Sequence, residues 1–332
     1  MDNTLKSGRR TLLLAASFLA APGFARAQAA WPQRDLRLIV PFPPGGTTDV
    51  VARMLAAAMR DRIGRPVVVE NQPGAGSTTA AGRFARDGDD HSLFLSQIAS
   101  HAIGPALFPS LPYDPERDFR AVTLVVTVPN VWVAHARNVP GGDVRALLRD
   151  ARQRPMVRTF ASAGNGTSTH LTGELIAQLA RAPMQHVPYR GAGPGMAAVM
   201  GGEVDTFIDN LPTALPQIRA GTVVALGVTS RARLPDLPDV PALSELGEEF
   251  GLAGFEAEAW FGLHTHRSVS DAVVTRMADA ARGALADPGF IRQLAERGTQ
   301  ARGGPPADYA ALVTAERTRW RDVVRQGNIR AD

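Results

Sequence analysis

The sequence contains no cysteine. That removes disulfides, thiolate nucleophiles, cysteine-ligated zinc and a lipid-modified N-terminal cysteine at once. Lysine is nearly as scarce, because Lys6 stands alone in 332 residues. It falls in a stretch that reads as a leader, so the remaining chain has no Schiff-base lysine and no phosphate-loop lysine. An excess of one charge is missing too. Of the formal +4, residues 1–27 carry +3 (Lys6, Arg9, Arg10 and Arg26 against Asp2), which leaves about +1 for the rest. With no basic run and no aromatic–basic ladder, a nucleic-acid partner is excluded. No later apolar run is long enough to span a bilayer. A chain without disulfides must rest on a sizeable core, which 45% hydrophobic residues at this length can supply.

The first residues explain the segregated charge. A charged stretch up to Arg10 precedes T-L-L-L-A-A-S-F-L-A-A-P-G-F, and A-R-A-Q follows at 25–28. This charged, apolar, small-residue order is that of a secretory signal, with cleavage expected after Ala27. The Arg9-Arg10 pair leaves the general and the twin-arginine export routes both open.

Beyond residue 35, short β-rich runs alternate with helical ones. Strands are predicted at 36–40, 66–70 and 92–95, with helices at 49–62 and 78–87 between them. A second series runs from a strand at 131–135 to one at 223–228, and a proline-rich loop, R-L-P-D-L-P-D-V-P, follows. Two tail helices, 271–286 and 306–326, have no strands between them and are expected to pack on the first unit. The order predicts an α/β chain of two lobes, each a mostly parallel sheet flanked by helices. Residues 28–125 plus 255–332 would form one lobe and 126–254 the other, joined by two hinge crossings.

Three loops at strand carboxyl ends attract attention. V-P-F-P-P-G-G-T-T-D (40–49) joins a strand to a helix that Thr48 or Asp49 is placed to cap. Gly45 and Gly46 allow a turn that aims backbone N–H groups outward. With no lysine or arginine in the loop, its attraction for an anion comes from backbone dipoles and threonine hydroxyls, which suits a carboxylate better than a triphosphate. A plain capped turn is the alternative. A-S-A-G-N-G-T-S-T-H (161–170) and V-P-Y-R-G-A-G-P-G (187–195) repeat the strand, glycine turn, helix order. Ligands of open parallel sheets lie outside the carboxyl ends of strands, so these loops describe a cleft.

Other chemistry finds little support. G-A-G-S-T-T, G-N-G-T-S-T and G-A-G-P-G-M each lack the third glycine of a dinucleotide fingerprint, and no cofactor is expected. No G-x-S-x-G elbow surrounds Ser77, Ser162 or Ser168. A triad through Ser168 and His170 competes with a packing role for His170. His264-x-His266 would share one face of a strand, but without a third ligand it reads as a solvent-facing strand end, and no metal is expected. His91 and His101 read as surface or loop residues. Asp205 and Asp209 face one side of a strand, with Asp209 either at the cleft or capping the N-L-P turn.

Taken together, R-L-I-V-P-F-P-P-G-G-T-T-D-V-V-A-R (37–53), V-V-V-E-N-Q-P-G-A-G (67–76), G-N-G-T-S-T-H-L-T-G-E-L (164–175), V-P-Y-R-G (187–191), D-N-L-P-T-A-L-P-Q-I-R-A-G (209–221) and W-F-G-L (260–263) resemble the solute receptors of tripartite tricarboxylate transporters, often called the Bug family. The resemblance runs in order along essentially the whole chain after the leader. It implies a monomeric, two-lobed periplasmic receptor, not an enzyme, that closes on a small carboxylate and delivers it to membrane permease subunits. It also implies ligand contacts at Phe42, Gly45, Gly46, Thr47 and Thr48, with Asp49 capping. Ser96 and Gln97 would line the first lobe. Thr167, Ser168, Tyr189, Arg190, Gly191 and Asp209 would contribute from the opposite lobe. H-T-H-R-S-V-S (264–270) departs from the usual turn of relatives, and is expected to be a surface change. An exported enzyme acting through Ser168, His170 or Asp209, and a receptor feeding a sensor, are the competing readings.

Overall fold

The computed structural model describes residues 31–330; the expected leader and its cleavage point lie outside them. The strands are β1 (Leu36–Val40), β2 (Val67–Asn71), β3 (Ser92–Gln97), β4 (Phe119–Ala134), β5 (Thr159–Ser162), β6 (Gln185–Pro188), β7 (Thr206–Asn210), β8 (Val224–Val228), β9 (Glu258–His266) and β10 (Gln300–Ala301). The helices are α1 (Thr47–Ile63), α2 (Thr78–Asp87), α3 (Gly104–Leu107), α4 (Val144–Gln153), α5 (Ser168–Leu179), α6 (Ala192–Gly201), α7 (Leu211–Arg219), α8 (Asp271–Leu285), α9 (Pro288–Ala295) and α10 (Pro306–Gly327).

The sheet order is β2-β1-β3-β9-β4-β7-β5-β6, with β8 and β10 also paired to β4. Two parallel trios, β2-β1-β3 and β6-β5-β7, therefore flank an antiparallel centre. The expectation of mostly parallel sheets needs that correction, and its cause is β4. The predicted strand at 131–135 is only the end of a 16-residue strand. This strand pairs antiparallel with β9 as far as Pro129, then with β7 from Asn130. Pro129 reads as a breaker in isolation, yet it sits at the end of the β9 ladder, where a missing N–H is tolerated.

Apolar burial explains the arrangement. In β3 all six residues are buried, because helices cover both faces and neighbours cover both edges. Helix α1 carries Val51, Ala52, Leu55, Ala56, Met59 and Ile63 on one stripe. That stripe packs with β1, β3, β9 and α8 into one core, and Gly64 closes the helix in a left-handed conformation. A separate core around Trp132, Phe160 and Ile208 lies under α4 and α5, and reaches Trp320 and Tyr309 of α10. The tail helix thus touches material on both sides of the β4 handover.

Two histidine expectations fail here. His264 lies inside the sheet, paired with Phe94 of β3 and Ala121 of β4, and not at an exposed strand end. His101 is fully buried and stacks on it at 4.3 Å between ring centroids. His264 Nδ1 and Tyr309 Oη lie 2.6 and 2.7 Å from Ser96 Oγ. His91 is buried as well. The reasons are tertiary: His264 sits in the sheet centre, His101 comes from the helical segment Ala99–Ile103 that covers it, and His91, in the turn before β3, packs against Trp31.

Candidate ligand-binding cleft

The loop between β1 and α1 folds differently from the expected cap. Helix α1 begins at Thr47, Gly46 occupies the N-cap position, and no side chain caps it. Asp49, in the third helical position, reaches back to accept a hydrogen bond from the Gly45 N–H at 3.0 Å. Arg53 and Asn71 also donate to Asp49, and Asn71 donates to the Phe42 carbonyl. Burial works against the charged form of Asp49, but these bonds outweigh it and hold the carboxyl below its usual range. Gly45 sits at φ +84°, which places the turn where a side chain would be strained. The outcome is a rigid turn whose carboxylate is occupied, while the first helical N–H groups have no partner within the helix.

These groups face a chamber of about 200 Å³. Phe42, Gly45, Gly46, Thr47, Thr48 and Gln97 form one wall; Thr167, Ser168, Arg190, Gly191 and Asp209 form the other. Eleven of the thirteen residues singled out from sequence therefore meet in one space. Gln97 donates to Thr48 Oγ1 at 2.8 Å and so fixes that hydroxyl beside the chamber. Tyr189 lines an adjoining chamber of about 680 Å³, which shares Phe42, Arg190 and Gly191 with the first. Ser96 is a correction. Its hydroxyl is buried and bonded to the Gly262 carbonyl, His264 and Tyr309, so it lies in neither chamber.

The opposite wall is built by three more helix starts, those of α5, α6 and α7. Thr167 caps α5 by accepting from the His170 N–H, and its own hydroxyl donates to the Gly164 carbonyl. Ser168, next in the chain, lines the chamber, and its hydroxyl has no hydrogen bond among the described residues. Asp209, at the end of β7, is buried; it accepts bonds from the Asn210 N–H at 2.8 Å and the Thr213 hydroxyl at 2.7 Å. Burial pushes its pKa up to about 7 against those two bonds. It both faces the chamber and ties down the N-L-P turn. Asp205, by contrast, binds Arg158 and Thr159 away from the chamber. The walls meet through Thr47 Oγ1 and Thr213 Oγ1, 3.2 Å apart. Pro43, Pro44 and Asn210 also line the space, and nothing in their residue types distinguishes them from ordinary turn residues.

His170, Glu174 and His186 bring their ligating atoms within 4.8 Å of one another. The Gly166 N–H donates to His170 Nδ1 at 3.2 Å, so the ring proton resides on Nε2, which faces Glu174. A nitrogen carrying a proton offers no lone pair to a cation, and the His186 Nε2 is engaged by Ser162 Oγ at 2.7 Å. Burial, then the neighbouring His186, pushes His170 down to about 3. Among the described residues no hydrogen bond joins Ser168 to His170, and that pairing is the first requirement of a serine triad.

A curled mixed α/β sheet with a cleft at strand carboxyl ends is the architecture of periplasmic solute-binding proteins. The family model described as "Tripartite tricarboxylate transporter family receptor" matches residues 51–329, and the chain belongs to that family. A Pseudomonas sp. (strain P51) protein, "UPF0065 protein in tcbD-tcbE intergenic region", is 36% identical over 98% of this chain and 96% of its own length. Among solved structures, R. palustris Rpa4515 with adipate superposes at a TM-score of 0.85, with 31% identity over 91% of this chain and 99% of that one. MatC from Rhodopseudomonas palustris with bound malate gives 0.82, with 33% identity over 88% and 99%. No helix among the described residues is long and apolar enough to cross a membrane.

Proposed function

We propose that this chain is an exported, periplasmic, non-enzymatic receptor. It captures a small carboxylate between two lobes by hinge closure and hands it to the membrane subunits of a tripartite transporter. Residues 28–125 with 255–332 would form one lobe and 126–254 the other, acting as a monomer. The observation that carries this reading is the uncapped start of α1, facing a chamber that contains no lysine and only one arginine, Arg190. Main-chain N–H groups and the Thr47 and Thr48 hydroxyls would replace the hydration of one carboxylate. Adipate and malate in two structural neighbours support this class of ligand.

Closure would act by population shift: a ligand touching both walls favours the state in which they meet. Thr47 against Thr213 is the contact such a state would keep. Asp209 would favour a hydroxyl or ammonium on the ligand, or accept a proton when facing a second acid group. The test is calorimetry of ligand-free protein against malate, adipate, glutamate, an aromatic acid, a neutral sugar and a basic amino acid. One-to-one binding confined to acids, with the acid recovered unchanged, is expected. Binding of the sugar or the basic compound alone, or turnover of an acid, would refute the proposal.

A further inference from the structure

Where the two walls meet, bare main chain is pressed against the opposite side at three places. A Cβ added to Gly76 would stand 2.4 Å from the Asn165 carbonyl oxygen. One added to Gly166 would stand 3.1 and 3.3 Å from Cε2 and Cζ of Phe108, and one added to Gly191 would stand 3.3 Å from Pro43 Cγ. Carbon atoms rest at roughly 3.5–4.0 Å, so each glycine leaves a seat that a side chain would fill. Every pair joins a residue of 28–125 to one of 126–254.

The Phe108–Gly166 pair is braced on both sides. Gly166 lines neither chamber, and its N–H is tied to His170 Nδ1 at 3.2 Å. Thr167, next in the chain, caps α5 and donates its hydroxyl to the Gly164 carbonyl, so the loop beneath the ring is fixed. Phe108 directly follows α3, and its ring is partly buried. Behind the ring, Ile103 and Leu107 share one core with Leu171 and Ile176 of α5. Parting the walls would hand this apolar seam to water, at a cost that grows with the area exposed.

We propose that Phe108 and Gly166 form a closure latch. The ring seats on the bare main chain of Gly166 only when the walls are together, and this contact sets how tightly the receptor holds its ligand. Gly166 would thus govern affinity from outside the ligand's space. Apparent affinity scales with the fraction of molecules able to reach the binding-competent state, so a side chain that fills the seat lowers it without touching the ligand. The proposal rests on the reading that the two walls belong to lobes that close on an acid, and it names the contact that decides how far they close.

Calorimetry with malate and adipate on the wild type, Gly166→Asn, Phe108→Ala and the double variant tests it. Asparagine tolerates positive φ, so Gly166→Asn at φ +75° adds bulk under the ring with little backbone strain. Gly221→Asn is the control, at φ +69° with nothing within 4 Å of its Cβ, and unliganded thermal unfolding reports on folding. Gly166→Asn should bind about tenfold more weakly, as when one molecule in ten can still close. X-ray scattering at saturating acid should show less compaction in that variant than in the wild type. Phe108→Ala alone should also weaken binding, and in the double variant the vacated ring space should leave affinity no lower than in Phe108→Ala. Unchanged affinity in Gly166→Asn, equal compaction, or losses that multiply in the double variant would each overturn the latch while acid binding by the wild type stands. If Gly166→Asn melts well below Gly221→Asn, Phe108→Ala decides alone, and unchanged affinity and compaction there would overturn the latch. A wild type that binds neither acid, or binds without compacting, would overturn the parent reading and this one with it.

Discussion

Asp209→Asn gives the sharpest test of the chamber's electrostatics without any ligand. The wild-type carboxyl is buried, with two hydrogen bonds and no ion pair among the described residues. Its pKa is raised from 3.8 to about 7 by burial. A raised folded-state value means the native chain keeps a proton that the unfolded chain has lost. The stabilising contribution is therefore complete below the unfolded value and disappears as pH rises through about 7. The residues around Asp209 hold no counter-charge that would alter this sign. Gly45, Ala192, Gly193, Met196, Thr213 and Gln217 surround it on one side, and the inner chamber adds only Arg190, which is exposed. Between about pH 5 and about pH 8.5 the wild type should lose about 3 kcal/mol through this group. Asparagine cannot ionise, so the variant escapes that loss and gives up only about 1 kcal/mol for a weakened hydrogen bond at any pH. Urea unfolding of ligand-free protein at both pH values, with equal m-values, measures the difference. The stability difference between the two proteins should shift in the variant's favour by about 3 kcal/mol from the acid value to the alkaline one. A gap between the two proteins that stays constant with pH would show that Asp209 titrates normally, and the account of a desolvated chamber would be wrong.

Three further outcomes follow from the same geometry. Gly46 has φ −78° and room for a Cβ, whose nearest neighbour would be the Pro43 carbonyl at 3.8 Å; Gly46→Leu should therefore fold normally yet block the chamber, and retained acid affinity by calorimetry would sink the cradle role. Burial pushes His264 and His170 down to about 3 and His101 well below its usual value, so the unfolded chain takes up protons that the native chain refuses. Stability should fall as pH drops below about 6.5, by about 2 kcal/mol for each of His170 and His264 at pH 5, and His264→Gln should make that acid limb shallower in urea titrations. Thr213→Val removes the Thr47 contact across the cleft, and a roughly fivefold faster ligand release in stopped-flow measurements is expected, whereas an unchanged rate would mean that the contact does not hold the walls together.

What the sequence made legible, and what it hid, divides along a physical line. Local placement was readable: the strand-to-helix turn expected along 40–49 is there, and eleven of the thirteen chosen residues meet in one chamber. Element starts that depend on neighbouring residues, such as α2 at Thr78 and α8 at Asp271, also agree with the sequence reading. Apart from the start of α1, where Asp49 bonds Gly45 and does not occupy the cap position, the misreadings involve partners distant along the chain. Ser96 and Gln97 are consecutive, so strand alternation sends their side chains to opposite faces, and only one can reach the cleft. Choosing between them required knowing that Tyr309, 213 residues onward, lies on the Ser96 side. The His264 ring looked exposed because its own neighbours are polar, and it is buried because β3, β4 and the segment bearing His101 enclose it. Long-range strand order likewise decided that Pro129 ends one ladder and does not break the strand.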